Sequence, residues 1–196
     1  DVDAIDVTLT IVMYKEVKLD VKFIDGGGAT ADDVSYTIEP ETITLSGDAT
    51  ALDGVNVIQL DNIDLSTIMK NEDTVTRQIL IPNNAVNVSG EQEATVTVKI
   101  KNKEISTIRT SNISFTGVAE GLEAKSIAQQ MQVTFRASAD DIRKISANNV
   151  RIVADMSEYT LPGTYQVPVQ VSFDGFPGAG VVGEYTVAVT LSRTEE

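Results

Sequence analysis

The sequence contains no cysteine, no histidine and no tryptophan. Without cysteine it is not a disulfide-stapled scaffold, so its apolar cores must suffice, and the redox compartment stays open. Without histidine it lacks the commonest general base, the commonest transition-metal ligand and the usual pH switch. Aromatic residues make up only 5%, so Val, Ile and Leu must fill the interior. No run of 18 apolar residues occurs, so no stretch of this sequence reads as a membrane span. No signal peptide is visible either. The chain begins at Asp1 without Met, which reads as a processed or excised piece. Basic residues are scarce, 15 against 29 acids, for a net charge of −14. Residues 1–101 carry 18 acids and 7 bases, net −11, and residues 102–196 carry 11 and 8, net −3. Neither part offers a positive field for a phosphate backbone, which supplies most nucleic-acid affinity. Acidity of this kind more often serves solubility.

What the chain does contain is a repeat. Ile43-Thr44-Leu45, Ile63-Asp64-Leu65-Ser66 and Ala94-Thr95-Val96-Thr97-Val98 return as Val133-Thr134-Phe135, Ala154-Asp155-Met156-Ser157 and Tyr185-Thr186-Val187-Ala188-Val189. The spacings are 90 residues (Ile43 to Val133) and 91 (Asp64 to Asp155, Val96 to Val187). A unit of that length suits a small domain, not a solenoid repeat. Two domains are expected, 1–101 and 102–196, joined by the short charged stretch Lys101-Asn102-Lys103-Glu104. A join that short favours a limited hinge over free tumbling.

Within each copy the dominant period is two. Ile5 to Met13, Val17 to Phe23, Ala94 to Ile100, Tyr165 to Phe173 and Tyr185 to Leu191 alternate apolar with polar residues. Such rows read as strands with one face on a core. Arg77 interrupts the row Val75, Ile79, Ile81, which predicts a strand that starts exposed or lies at a sheet edge. Pro168 lies inside a strong row and has no N–H for a ladder, which predicts an edge or a bulge. One short helix is expected per copy. Ser138-Ala139-Asp140-Asp141 reads as an N-cap, with Ile142 and Ile145 on one face and Asn148-Asn149 ending the turn. Leu52 and Val55 hold the corresponding places in the first copy, where Gly54 shortens the turn. Turns are expected at Asp25–Gly28, Pro82–Asn84, Ser89-Gly90, Leu161–Gly163 and Asp174–Gly178.

No motif assigns chemistry. Gly26-Gly27-Gly28 lacks the Lys-Ser/Thr and helix of a phosphate loop and reads as a flexible hairpin. Gly175, Gly178 and Gly180 precede a strand where a dinucleotide fingerprint needs a helix. Asp61, Asp64 and Asp155 could in principle face each other across a cleft, as a glycosidase requires. But Asp64 and Asp155 recur in both copies, which favours a structural role such as accepting amides at a turn. Calcium is the rival reading for Asp61-Asn62-Ile63-Asp64 and Asp32-Asp33, although the EF-hand spacing is absent. Asn87-Val88-Ser89 and Asn112-Ile113-Ser114 match the glycosylation acceptor pattern. No catalytic, cofactor-binding or metal-binding residue is assigned, and no cofactor is expected.

Taken in order, these segments resemble a tandem of YbbR domains. The first copy carries the resemblance through Ile38–Gly47, Ala51-Leu52-Asp53-Gly54-Val55, Ile63-Asp64-Leu65-Ser66 and Thr95–Val98. The second carries it through Gly121–Ala124, Val133–Phe135, Asp155-Met156-Ser157, Pro162–Tyr165 and Tyr185–Val187. It departs from the pattern in lacking the proline before its opening strand and in having Ala137 where glycine is expected. The resemblance implies a mostly β fold, two tandem small β-rich domains of irregular topology, each with one short helix. It also implies a non-catalytic protein. In Firmicutes such modules follow a membrane helix, face outward, and regulate a membrane diadenylate cyclase and so cyclic di-AMP. The implied location is the extracytoplasmic face of the membrane, with the anchor outside this sequence. The implied partner is that cyclase or another envelope protein, with no nucleic acid and no small-molecule substrate. Two alternatives remain at this point: an Ig-like structural or adhesive surface stalk, and a calcium-dependent carbohydrate-binding domain. RNA binding, by analogy with the related ribosomal L25-type domain, sits badly with the negative charge.

Overall fold

The structure, a computed structural model, describes residues 12–194. Strands dominate. The first copy runs β1 (Met13–Asp20), β2 (Phe23–Ile24), β3 (Val34–Glu39), β4 (Thr42–Gly47), α1 (Ala49–Leu52), β5 (Val57–Gln59), β6 (Ile63–Asp64), β7 (Glu72–Gln78), β8 (Ala85–Asn87) and β9 (Glu93–Ile100). The second runs β10 (Glu104–Thr110), β11 (Ile113–Thr116), β12 (Leu122–Ser126), β13 (Met131–Ala137), α2 (Ala139–Ile142), β14 (Val150–Asp155), β15 (Gly163–Phe173), β16 (Gly180–Val181) and β17 (Thr186–Arg193). The expected mostly β fold with one short helix per copy is what the chain adopts. The alternating row from Ile5 lies outside the described residues until Met13.

Alternation sets the faces. Along β9, Ala94, Val96, Val98 and Ile100 are buried, and along β17 so are Val187, Val189 and Leu191. Each helix is one turn, too short to form alone, and is fixed by a cap. The Asp48 carboxylate accepts from the Ala51 N–H, and the Ser138 hydroxyl from the Asp141 N–H. Ile142 and Ile145 both pack on the core of Val133, Phe135 and Ile152. Asn148 and Asn149 do not end α2. They belong to a separate 3-10 turn, Ala147–Asn149, in which the Asn149 amide oxygen accepts from the Ser146 N–H and hydroxyl.

Strand order recurs. β1-β4-β8 corresponds to β10-β13-β16, and β3-β9-β7 to β12-β17-β15. The parallel pair β2–β6 corresponds to the parallel pair β11–β14. Parallel pairs and a recurrent helix are foreign to an Ig sandwich, whose sheets are antiparallel throughout. β7 lies at the edge of its sheet, as Arg77 predicts. Pro168 lies in β15, between β14 and β17 in the strand order, at a point where β15 is locally an edge, as expected. Its ladder with β14 ends at Ala154↔Val169. The Val169 N–H points the other way, to the Tyr185 carbonyl. In an antiparallel ladder successive N–H groups face opposite neighbours. The missing N–H of Pro168 therefore falls on the β14 side, where pairing stops, and no ladder bond is lost.

Packing divides the chain into two compact units. One comprises residues 12–22, Tyr36–Asn62 and Thr74–Val98. The other comprises Phe23–Ser35, Ile63–Asp73 and residues 99–194. This division by packing is separate from the division by repeat at Lys101. In the first unit Val17, Leu19, Ile43, Leu45 and Val96 are buried. The second has two adjoining cores, one around Phe135 and Phe173, whose ring centroids are 5.0 Å apart, and one around Ala154, Met156, Val167 and Val189.

Candidate functional site: a buried arginine and an open strand row

In β13 the inward residues Val133, Phe135 and Ala137 enter the core. Arg136 therefore points outward, where alternation predicts water. Instead it is wholly enclosed, at 0% exposure. Two stretches of the second unit cover it, the loop after β2 and the loop after β6. Its Nε donates to the Asn71 side-chain oxygen at 3.1 Å, Nη1 to the Gly27 carbonyl at 3.0 Å and the Leu65 carbonyl at 3.4 Å, and Nη2 to the Ile68 carbonyl at 2.6 Å and the Lys70 carbonyl at 3.5 Å. Every acceptor is neutral. Burial pushes the guanidinium pKa down, yet an arginine remains charged at neutral pH. Carbonyl and amide dipoles hold the cation, and its planar fork reaches partners spread over two loops.

Glycines let the loop approach. Gly27 and Gly28 have φ of 57° and 74° and form a tight turn closed by mutual Gly26–Ala29 backbone bonds of 3.0 Å. A Cβ on Gly28 would lie 2.1 Å from the Arg136 carbonyl oxygen, and one on Gly180 would lie 2.1 Å from the Gly28 nitrogen. The three glycines are thus a packed hairpin, which corrects the flexible loop expected from sequence. Around them, the Gly183 N–H donates to the Ser66 carbonyl, the Asn71 amide to the Lys103 carbonyl and the Lys101 N–H to the Asp33 carbonyl. The Lys103 ammonium pairs with Asp33 at 3.4 Å. Burial works to raise the Asp33 pKa, but bonds from the Thr30 backbone and hydroxyl, with Lys103 nearby, hold it below the ordinary value.

Two of the acids singled out by sequence close turns. Asp64 accepts from the Ser66 N–H at 2.8 Å and Asp155 from the Ser157 N–H at 2.9 Å, so both copies use this acid to close the same turn. That bond lowers the Asp155 pKa. The Asp61 and Asn62 carbonyls accept from Arg77. Among the described residues, no three His, Cys, Asp or Glu side chains gather as metal ligands. In the acceptor patterns, the Asn87 amide bonds the Glu91 carbonyl and the Asn112 amide the Val150 carbonyl. A depression of about 350 Å³ adjoins Gly26–Gly28, Lys103 and Ala179, and another of about 370 Å³ adjoins Asp155, Glu158 and Tyr159. No helix among the described residues is long and apolar enough to cross a membrane.

The counterpart of the arginine's row lies in the first unit. There Tyr14 of β1 pairs with Ser46 of β4, and Ser46 with Val86 of β8. In the second unit Ile105 of β10 pairs with Arg136, and Arg136 with Gly180 of β16. Tyr14 is 69% and Val86 61% exposed, and Val88, next along that edge, is exposed too. Sequence reasoning missed Arg136, and the signal available was a lone basic residue in an otherwise uncharged strand.

Residues 17–100 match the family model described as YbbR-like protein. No curated protein matches the chain. Two solved structures are similar. One is SuR18C from Streptococcus thermophilus, at 16% identity over 46% of this chain and 85% of that one, with a TM-score of 0.38. The other is a YbbR-like protein from Streptococcus pneumoniae TIGR4, at 13% identity over 95% of this chain and 98% of that one, with a TM-score of 0.34. Residues 17–100 are thus similar to a YbbR-like protein.

Proposed function

We propose that this chain is the non-catalytic, contact-making part of an extracytoplasmic regulator, two copies of one β module divided in sequence at 1–101 and 102–196. In the full-length protein an anchor outside this sequence holds the modules at the membrane, where they regulate a diadenylate cyclase through protein–protein contacts. The YbbR-like match over residues 17–100 carries this reading. Two observations support it. The recurring acids Asp64 and Asp155 are engaged in closing turns. The strand groups recur in the same order in both copies.

The test is to delete the gene in its host and measure cyclic di-AMP, alongside co-purification of the full-length protein with the cyclase. A changed nucleotide level together with a stable complex is expected. Unchanged levels, or no complex, would rule out the regulatory role. Calcium supplies a side test of the carbohydrate-binding alternative, since a ligand that binds the folded state raises the melting temperature. The expected response to millimolar calcium is flat.

A further inference from the structure

The second unit contains a docking arrangement that the first unit has only in part. Across β13, the outward row Ile105–Arg136–Gly180 is covered by the loops that follow β2 and β6, through Gly27, Leu65 and Ile68. The parallel pair β2–β6 has its counterpart in β11–β14. The loops that follow β11 and β14, at 117–121 and 156–162, therefore leave the corresponding end of that pair. These second loops expose Leu161 at 69%. The row corresponding to the covered one, Tyr14–Ser46–Val86, is open, with small Ser46 on its floor between two large apolar walls. The chain thus carries an unused socket in its first unit and an unused pair of plugs in its second.

We propose that the open row of β1, β4 and β8 is a docking surface for a second copy of this chain, which lays its 117–121 and 156–162 loops across β4 with Leu161 against Tyr14 and Val86. The contact is apolar, because Ser46 stands where Arg136 does and Val86 where Gly180 does, so neither the carbonyl cage nor the glycine-to-glycine approach is reproduced. Two different surfaces meet, so the association is head-to-tail, giving a ring where the rotation closes and an open chain where it does not. Each copy carries net −14, so like charges oppose the encounter and added salt strengthens it by screening. This surface is independent of any role with a cyclase.

The test is sedimentation velocity on the full chain over a range of concentrations, at low and high salt. Average mass should rise past the dimer with concentration, and more so at high salt. Val86→Asp removes the socket and Leu161→Asp removes the plug, and each alone should weaken association roughly tenfold or more, since a carboxylate is forced into an apolar contact. Both side chains are exposed, so circular dichroism should show both variants folded. A mixture of the two variants should form a one-to-one dimer and nothing larger, because one intact socket meets one intact plug. A chain that stays monomeric throughout would overturn the proposal. So would variants that associate like the parent, or a mixture that fails to pair.

Discussion

The rows Tyr14–Ser46–Val86 and Ile105–Arg136–Gly180 cross corresponding strands and point outward by the same alternation. The first leaves Tyr14 69% exposed; the second encloses Arg136 completely. The local pattern decides which face of a strand a residue occupies. Whether that face is wet depends on chain arriving from elsewhere, here from residues 65 to 109 positions away along the sequence. Two residues make the difference. Arg136 supplies donors that satisfy carbonyls from two loops, and Gly180 removes the side chain that would keep the Gly28 backbone at a distance.

Replacing Arg136 should break this comparison most severely. Arg136→Met removes the donors from buried carbonyls, and unsatisfied buried polar groups cost about 1–3 kcal/mol each. Some carbonyls will regain water, so a loss of about 3 kcal/mol is expected, read from the urea midpoint at constant slope. Arg136→Lys keeps the charge but has fewer donors and no planar fork, and should fall between Met and the parent. A loss under about 1 kcal/mol for Arg136→Met would mean that the loops cover β13 without needing the guanidinium.

The glycine contact comes next. Gly28→Ala and Gly180→Ala each drive a methyl into backbone, and overpacking of this kind costs about 1–3 kcal/mol. At Gly28 the positive φ adds strain. In the open row the matching change runs the other way: Val86→Gly should cost under about 1 kcal/mol, the span of strand propensity. Ser46→Arg should shift stability by no more than about 0.5 kcal/mol, since its side chain meets water. If Ser46→Arg proved as costly as losing Arg136, the open row would not be open.

Much of this fold was legible in the sequence because it is written locally. The strands beginning at Ala94 and Tyr185, the cap at Ser138, the edge position of Arg77 and the turn-closing Asp64 and Asp155 each follow from a few neighbouring residues. Arg136 was not legible because its own strand turns it to the face opposite Val133 and Phe135, and nothing nearby in the sequence says that two distant loops cover that face. Pro168 marks the local edge that its missing N–H requires, where the β14 ladder has ended. Gly26–Gly28 was misjudged because composition does not distinguish glycine needed for freedom from glycine needed for close approach.

The two helix caps give the smallest effect and the finest contrast between the copies. Asp48 and Ser138 hold the same position and each accepts from the N–H three residues on. Only the Asp48 cap is itself a titrating group. Bonds from the Thr50 hydroxyl and the Ala51 N–H hold the Asp48 pKa below the ordinary aspartate value. A carboxylate with a lowered folded-state pKa stabilises at pH above its unfolded value, and that contribution fades as pH falls through the folded one. The Asp48 contribution should therefore be intact at neutral pH and begin to fall below about pH 4. With no histidine in the chain, no step from that residue type is expected between pH 6 and 7. The Cα chemical shifts of Ala49–Leu52 report this directly. They should lose helical character on acidification in the parent and keep it in Asp48→Ser, which retains a cap oxygen that does not titrate. If both chains lost helical shifts together, the fading order would belong to the whole unit, and the cap would not be where this helix senses acid.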